Sequence, residues 1–277
     1  MSLKKYLYMD DECKHGHKNF NKNSNMQKQR YLFIPSALRR NPHTTSTDDI
    51  VYDLREEIRG KYSLEFMTFF NSIYNIRSTN NTIYFYENGT DKSCTITPGV
   101  YDDATLATAM KTALDTASGG FNTFTVTYSS ITGKYTFSGT SNFHFTFESF
   151  TANTIAKVIG FYRVDGVAAT SQTGDFMAQL QGVDLIGVDI RTNDRLFDFY
   201  DNHQGSSYFT FVIPNNVDNF TAMTYKPDQS SPVVLDFGVG PYVNHIQITI
   251  KDGVTGDALS LNGADYYIVL RKLCNDE

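Results

Sequence analysis

Apolar side chains recur at every second position through most of this chain, the period of a strand with one buried face. Tyr31 to Ser36 reads as a short extended piece stopped by Pro35, and Asp49 to Leu54 as a second. A long candidate strand pair runs from Ser63 to Glu87, with Leu64, Phe66, Ile73 and Ile76 apolar amid polar neighbours and a bend at Asn71-Ser72. Asn80-Asn81 and Asn88-Gly89 bracket Thr82 to Glu87 as turns. Thr123 to Tyr128 alternates Phe124, Val126 and Tyr128 against threonines, Ile131-Thr132-Gly133 turns, and Lys134 to Ser138 returns. Asn142 to Glu148 adds Phe143, Phe145 and Phe147 on one face, a core face by its spacing. Further strands are expected over Val183–Ile190, Ser207–Ile213, Val233–Phe237, Asn244–Lys251 and Asp265–Lys272, with Pro214, Pro227, Pro232 and Pro241 between them.

One segment departs from period two. Between Asp102 and Ala117, residues Leu106, Ala107, Met110, Ala113, Leu114 and Ala117 fall at helical spacing. Asp102 or Asp103 supplies an N-cap and Gly119-Gly120 a stop. Ile155 to Phe161 reads as a single helical turn or a short buried plug, and Asp165 to Gly182 as a surface loop or excursion. Ten or more short strands, turn-rich connections and one helix imply an all-β fold, a single jelly-roll β-sandwich with one short helix-containing excursion. No stretch repeats with a period of 20–50 residues, which speaks against a solenoid or propeller.

Composition supports this reading. The 277 residues include 21 Phe and 18 Tyr, residue types that fit a pleated, half-buried surface. Charge divides the chain. Residues 1–47 hold nine Lys or Arg and three acids, a balance of +6, so the remainder carries -12 of the net -6. Asp10 to Gln29 has almost no apolar residue and no periodicity, and is expected to be a flexible arm because it buries too little to offset its ordering entropy. The domain reading is therefore an arm over 1–29 and one sandwich domain over 30–277, within which 95–161 is a helix-containing segment with the character of an inserted module. The arm's cations fit an acidic partner, such as packaged nucleic acid or an acidic protein surface, and Lys14, Lys18, Lys22, Lys28 and Arg30 are the candidates for that contact. A solvated tail is the plainer alternative.

Three distant cysteines, Cys13, Cys94 and Cys274, make a disulfide framework unexpected, and the start of the chain lacks a signal-peptide pattern. The sequons at Asn80, Asn88 and Asn219 then read as chance. No apolar run is long enough for a membrane span. Chemistry is sparse. Nucleotide-binding loops, the zinc-protease helix motif and the nucleophile elbow are all missing. Cys13, His15 and His17 offer three ligand types without a fourth, so no zinc site is expected. His144, His203 and His245 are isolated, and Asp48-Asp49 and Asp102-Asp103 are explained by strand and helix starts. The segment from Asp252 to Asp257 lacks a ligand at every second position and reads as a turn rather than a calcium loop. Tyr84, Tyr86, Tyr266 and Tyr267 are candidates for outward-facing contacts. No catalytic residue, cofactor or metal is expected.

An ordered set of pieces carries a family resemblance. Phe33-Ile34-Pro35-Ser36, Tyr62 to Glu65 and Asn71 to Ile76 come first, then Thr95 to Tyr101 ahead of the helix. Phe124 to Tyr128, Thr132 to Phe137, Ala156 to Phe161, Ile246 to Asp252 and Asn262 to Tyr266 follow. From about Arg30 to Lys272 the chain resembles the minor capsid, or penton, proteins of virophages, polinton-like viruses and some large eukaryotic DNA viruses. The resemblance implies a structural virion protein with a jelly-roll protomer, forming a homopentamer at the fivefold vertices of an icosahedral capsid. It implies contact with the major capsid protein, arm contact with packaged DNA or internal proteins, synthesis in the host cytoplasm or a virus factory, and no enzymatic residue. The alternatives on the same fold are a carbohydrate- or receptor-binding fibre or tail-type module and a capsid cement protein.

Overall fold

A computed structural model describes residues 30–41, 48–192, 195–196, 200–201, 208–228, 230–238 and 243–273. In chain order the elements are β1 (Tyr31–Pro35), β2 (Asp49–Ile58), β3 (Lys61–Phe70), β4 (Thr82–Glu87), β5 (Thr90–Thr95), α1 (Asp103–Ser118), β6 (Phe124–Ser129), β7 (Lys134–Phe145) and β8 (Ala169–Thr173). They continue with β9 (Leu185–Thr192), β10 (Arg195–Leu196), β11 (Tyr200–Asp201), β12 (Tyr208–Phe209), β13 (Phe211–Pro214), β14 (Ala222–Tyr225), β15 (Val234–Asp236), β16 (Val243–Asp252) and β17 (Tyr266–Lys272). The chain divides into two compact units, residues 73–182 and the remainder on either side of them.

The outer unit holds two five-stranded antiparallel sheets and a two-stranded ladder, β11-β12. One runs β1-β17-β3-β14, with β15 also on β3; the other runs β10-β9-β16-β2, with β13 also on β9. Eight strands of this unit, taken in chain order, are β1, β2, β3, β9, β13, β14, β16 and β17. The first sheet then holds the first, eighth, third and sixth, and the second sheet holds the second, seventh, fourth and fifth. That interleaving is the strand order of a jelly roll. Period two decides which faces are buried. Ile34, Leu64, Met67, Phe69, Ile268 and Leu270 are buried from the first sheet, and Ile50, Tyr52, Ile186, Val188, Ile190, Ile246, Ile248 and Ile250 from the second. Phe211 on β13 stacks on Tyr225 on β14, ring centroids 5.8 Å apart.

The inserted unit is a bent antiparallel sheet, β5-β4-β7-β6 with β8 on β7, packed against α1. Asn88 and Gly89 join β4 to β5 with φ of 48° and 76°, the paired positive values a tight hairpin demands. Asp102 caps α1 in a capping box with Thr105, and Gly119 ends it in the left-handed region at φ 65°. Leu106, Ala107, Met110 and Leu114 turn inward to a core of phenylalanines. Phe145 lies at its centre, with Phe137, Phe143, Phe147 and Phe161 at centroid distances of 5.0, 5.6, 5.0 and 5.1 Å. Asn75 closes the unit on itself: its amide donates to the carbonyls of Tyr101 and Leu180 at 2.7 and 2.8 Å and accepts from the Tyr101 N–H at 2.9 Å.

The structure corrects the sequence reading in places. The expected strand pair from Ser63 to Glu87 is β3, an irregular stretch and β4, with β3 ending just before the expected bend at Asn71. Lys134–Ser138 and the start of the Asn142–Glu148 segment form one continuous strand, β7, because Gly139 to Ser141 shift the register without ending it. The excursion over 165–182 contains a strand, β8, which adds to the edge of β7 through backbone bonds and the Thr136–Thr173 hydroxyl contact at 3.0 Å. Of the two alternatives for Ile155 to Phe161, the buried plug describes it: Ile155, Ala156, Val158, Ile159 and Phe161 are all buried in turn geometry.

Candidate functional site

Lys14, Lys18, Lys22 and Lys28 lie outside the described residues, as do Cys13, His15, His17 and His203. Arg30, the last of the five candidate cations, immediately precedes β1, and its carbonyl accepts from the N–H of Lys272 at 2.9 Å. Arg30 therefore sits at the β1–β17 pair.

The outward faces of the two sheets differ in chemistry. On the first, cross-strand register places Phe33, Val269 and Phe66 in one row. Phe33 also stacks on Tyr267 at 5.5 Å, and these two rings are 38% and 39% exposed. Phe70 is exposed further along β3. An Arg271–Glu65 ion pair at 3.5 Å borders the row. The second face is polar. Asp49 accepts from Gln247 and Thr249, both at 3.2 Å, and Asp53 takes Arg40, whose guanidinium holds that carboxyl below the usual range.

Beside this polar face sits a buried charge that no local pattern announces. Ile186, Val188 and Ile190 point into the core, so Gly187, Asp189 and Arg191 point outward. Asp189 is nevertheless fully buried and receives Arg191 at 2.5 Å and Lys251 at 3.2 Å. Gly187 leaves room for Phe209, since a Cβ there would stand 2.3 Å from its ring. The backbone that follows packs down too, with the Thr210 hydroxyl accepting from the Ile190 N–H at 2.8 Å.

The inserted unit buries its own charge. Glu87 follows Ile83 and Phe85 in the inward phase of β4, so the alternation does foreshadow its burial. Its carboxylate takes Lys92 at 2.8 Å and the Asn122 amide at 2.7 Å. Burial pushes this carboxyl up, but the donors Lys92, Asn122 and Ser118 outweigh burial and hold it below its ordinary value.

The remaining sequence candidates take structural positions. Asp102 is the helix cap, and Asp252 closes a turn by accepting from the N–H groups of Val254 and Thr255. His144 packs against Tyr86 at 5.1 Å, and His245 lies 3.0 Å from the Asn244 side chain. Of the four tyrosines expected outside, Tyr267 is exposed and Tyr84 and Tyr86 are half-buried. Tyr266 is the correction: it is fully buried in the inward phase of β17, where burial raises its phenol well above the ordinary value. Cys94 is buried, its thiol pushed up to about 12 by desolvation, and so is protonated and inert at neutral pH. Among the described residues no group of three or more His, Cys, Asp or Glu is placed to hold a metal. No helix among them is long and apolar enough to cross a membrane.

These elements define an all-β jelly-roll protein with a second, helix-capped unit between its third and fourth sandwich strands. No protein-family model matches the sequence, and no curated protein matches it. Among solved structures the chain is similar to the mavirus penton protein, at 11% identity and a TM-score of 0.47, over 89% of this chain and 99% of that one. It is also similar to a chain in the 3.5 Å cryo-EM structure of the Sputnik virophage, at 14% identity and a TM-score of 0.39, over 88% of this chain and 98% of that one.

Proposed function

We propose that this chain is a structural virion protein: a penton-type minor capsid subunit that assembles as a homopentamer at the fivefold vertices of an icosahedral capsid, beside the major capsid protein. The observation that carries the reading is the jelly-roll strand order of the outer unit, which agrees with the ordered sequence pieces from Phe33 to Tyr266. Side-by-side packing in a ring gives the aromatic face around Phe33 and Tyr267 a place to be buried. The titratable groups support a structural role, because Glu87, Asp189 and Asp102 are each committed to an ion pair or a helix cap.

Mass photometry of the full chain tests this. A ring of about five times the 31.3 kDa chain mass is expected, or a monomer that becomes pentameric when capsid components are added. A stable dimer or trimer overturns the vertex role.

A further inference from the structure

Three strongly exposed apolar side chains lie on three loops of the inserted unit, which backbone bonds stitch together. Ile131, at the β6–β7 turn, is 95% exposed, and Met177 and Tyr162 are 63% and 61% exposed. Their proximity is fixed by several contacts. The Ala178 N–H donates to the Gly133 carbonyl at 2.7 Å, and Met177 lies over Gly133, where a Cβ would stand 2.4 Å from its side chain. Gly133 has φ of 68°, so both its backbone and the space above it call for glycine. Phe176 carries the patch on to Tyr162, ring centroids 5.2 Å apart, and the Tyr162 N–H donates to Asp175 at 2.9 Å. Apolar groups held this far out on an ordered scaffold are a feature of contact surfaces.

The charge around the patch indicates which contact. Lys134, Lys157 and Arg163 lie on the same stitched segments, with Asp175 as the acid among them and Asp165 following Arg163, its carboxylate taken by the N–H groups of Glu148 and Ser149. Asp175 is occupied by the Tyr162 N–H, and its carbonyl accepts from the Lys134 ammonium at 2.7 Å. The next acids in that direction, Asp102 and Asp103, belong to the start of α1, where Asp102 is used by the cap. This cationic rim contrasts with the whole unit, which has six basic and eight acidic residues over 73–182. An isoleucine tip, a methionine and a tyrosine within a basic rim match an anionic bilayer surface: apolar tips enter the headgroup boundary, tyrosine favours that boundary, and cations meet lipid phosphate and carboxylate.

We propose that the Ile131–Met177–Tyr162 tip of the inserted unit is a lipid-contact surface for membranes containing anionic lipid. It stands apart from the vertex reading, since vesicle binding and assembly size are measured separately.

Flotation of the full chain with phosphatidylcholine–phosphatidylserine vesicles tests it, with pure phosphatidylcholine vesicles as the comparison. Binding to the anionic vesicles is expected, weakened by added salt. The Ile131→Ser/Tyr162→Ser variant is expected to lose it by about tenfold or more, from the apolar surface it no longer buries. Both side chains are exposed, so an unchanged thermal transition confirms that the variant is folded. Residues 1–29 contain six lysines. Binding that survives the tip substitutions is therefore arm-driven and overturns the proposal. Equal binding to pure phosphatidylcholine, or no binding to either vesicle, overturns it as well.

Discussion

Glu87 shows how one residue couples a sheet to a helix. Its carboxylate faces the core side of β4, and Lys92, which reaches it from β5, also donates to the Ser118 carbonyl at the last turn of α1 at 3.0 Å. Removing the acid leaves a half-buried ammonium without its counter-charge, so Glu87→Ala is expected to cost on the order of 3 kcal/mol in chemical denaturation. The pH dependence follows from the lowered carboxyl. Its stabilisation is present above the unfolded-state value of about 4.3 and is lost as pH falls through the lower folded value. Thermal unfolding between about pH 5 and pH 3 should therefore decline more steeply in the native chain than in Glu87→Gln. Equal slopes would show that this carboxylate is not the responsible group. Gly187 is the other informative position, because its missing side chain is the space Phe209 fills. Gly187→Ala is expected to destabilise the outer unit by about 1–3 kcal/mol, read from the denaturation midpoint.

The elements were legible in proportion to how local their causes are. The helix needed only its own spacing, an aspartate at its start and a glycine past its end, and it forms over Asp103–Ser118 as those signals require. Gly119 holds φ of 65°, so Gly119→Ala should cost about 1 kcal/mol without altering the core, seen as a lower melting temperature with an unchanged fold by circular dichroism. The Asn88-Gly89 hairpin was readable for the same reason. The strand β8 was not. Its sequence, Ala-Thr-Ser-Gln-Thr, lacks an apolar face, and what makes it a strand is the open edge of β7. Edge strands take their structure from a neighbour's unpaired backbone groups, and such groups leave no trace in hydropathy.

For the whole molecule, charge is partitioned along the chain: +6 over residues 1–47 and -12 beyond them. In the vertex reading the basic arm meets the genome or internal proteins, while the acidic remainder makes the sandwich and its contacts. Removing residues 1–29 is then expected to leave the cooperative unfolding of the sandwich unchanged and to reduce particle yield when the capsid is reconstituted. Unaltered particle yield would remove the arm from assembly. Arg30 bonds to Lys272 at the β1–β17 pair, so the truncation stops short of that backbone ladder.

The sequence by itself determined which residues turn inward. Period two placed Phe143, Phe145 and Phe147 in one core, the 3.6 period placed Leu106, Met110 and Leu114 on one helix face, and glycines marked the turns. Both rest on side-chain direction within a single element, which the local chain controls. Tertiary structure alone decided what lies beyond one element. It set the jelly-roll strand order and made a strand of residues 169–173. It also buried Asp189 on the outward phase of its strand and laid Met177 over Gly133 in the turn that carries Ile131, about 45 residues away along the chain. Those outcomes depend on pairings between distant segments, whose partners are chosen by shape, charge and open backbone groups that no local stretch of sequence contains.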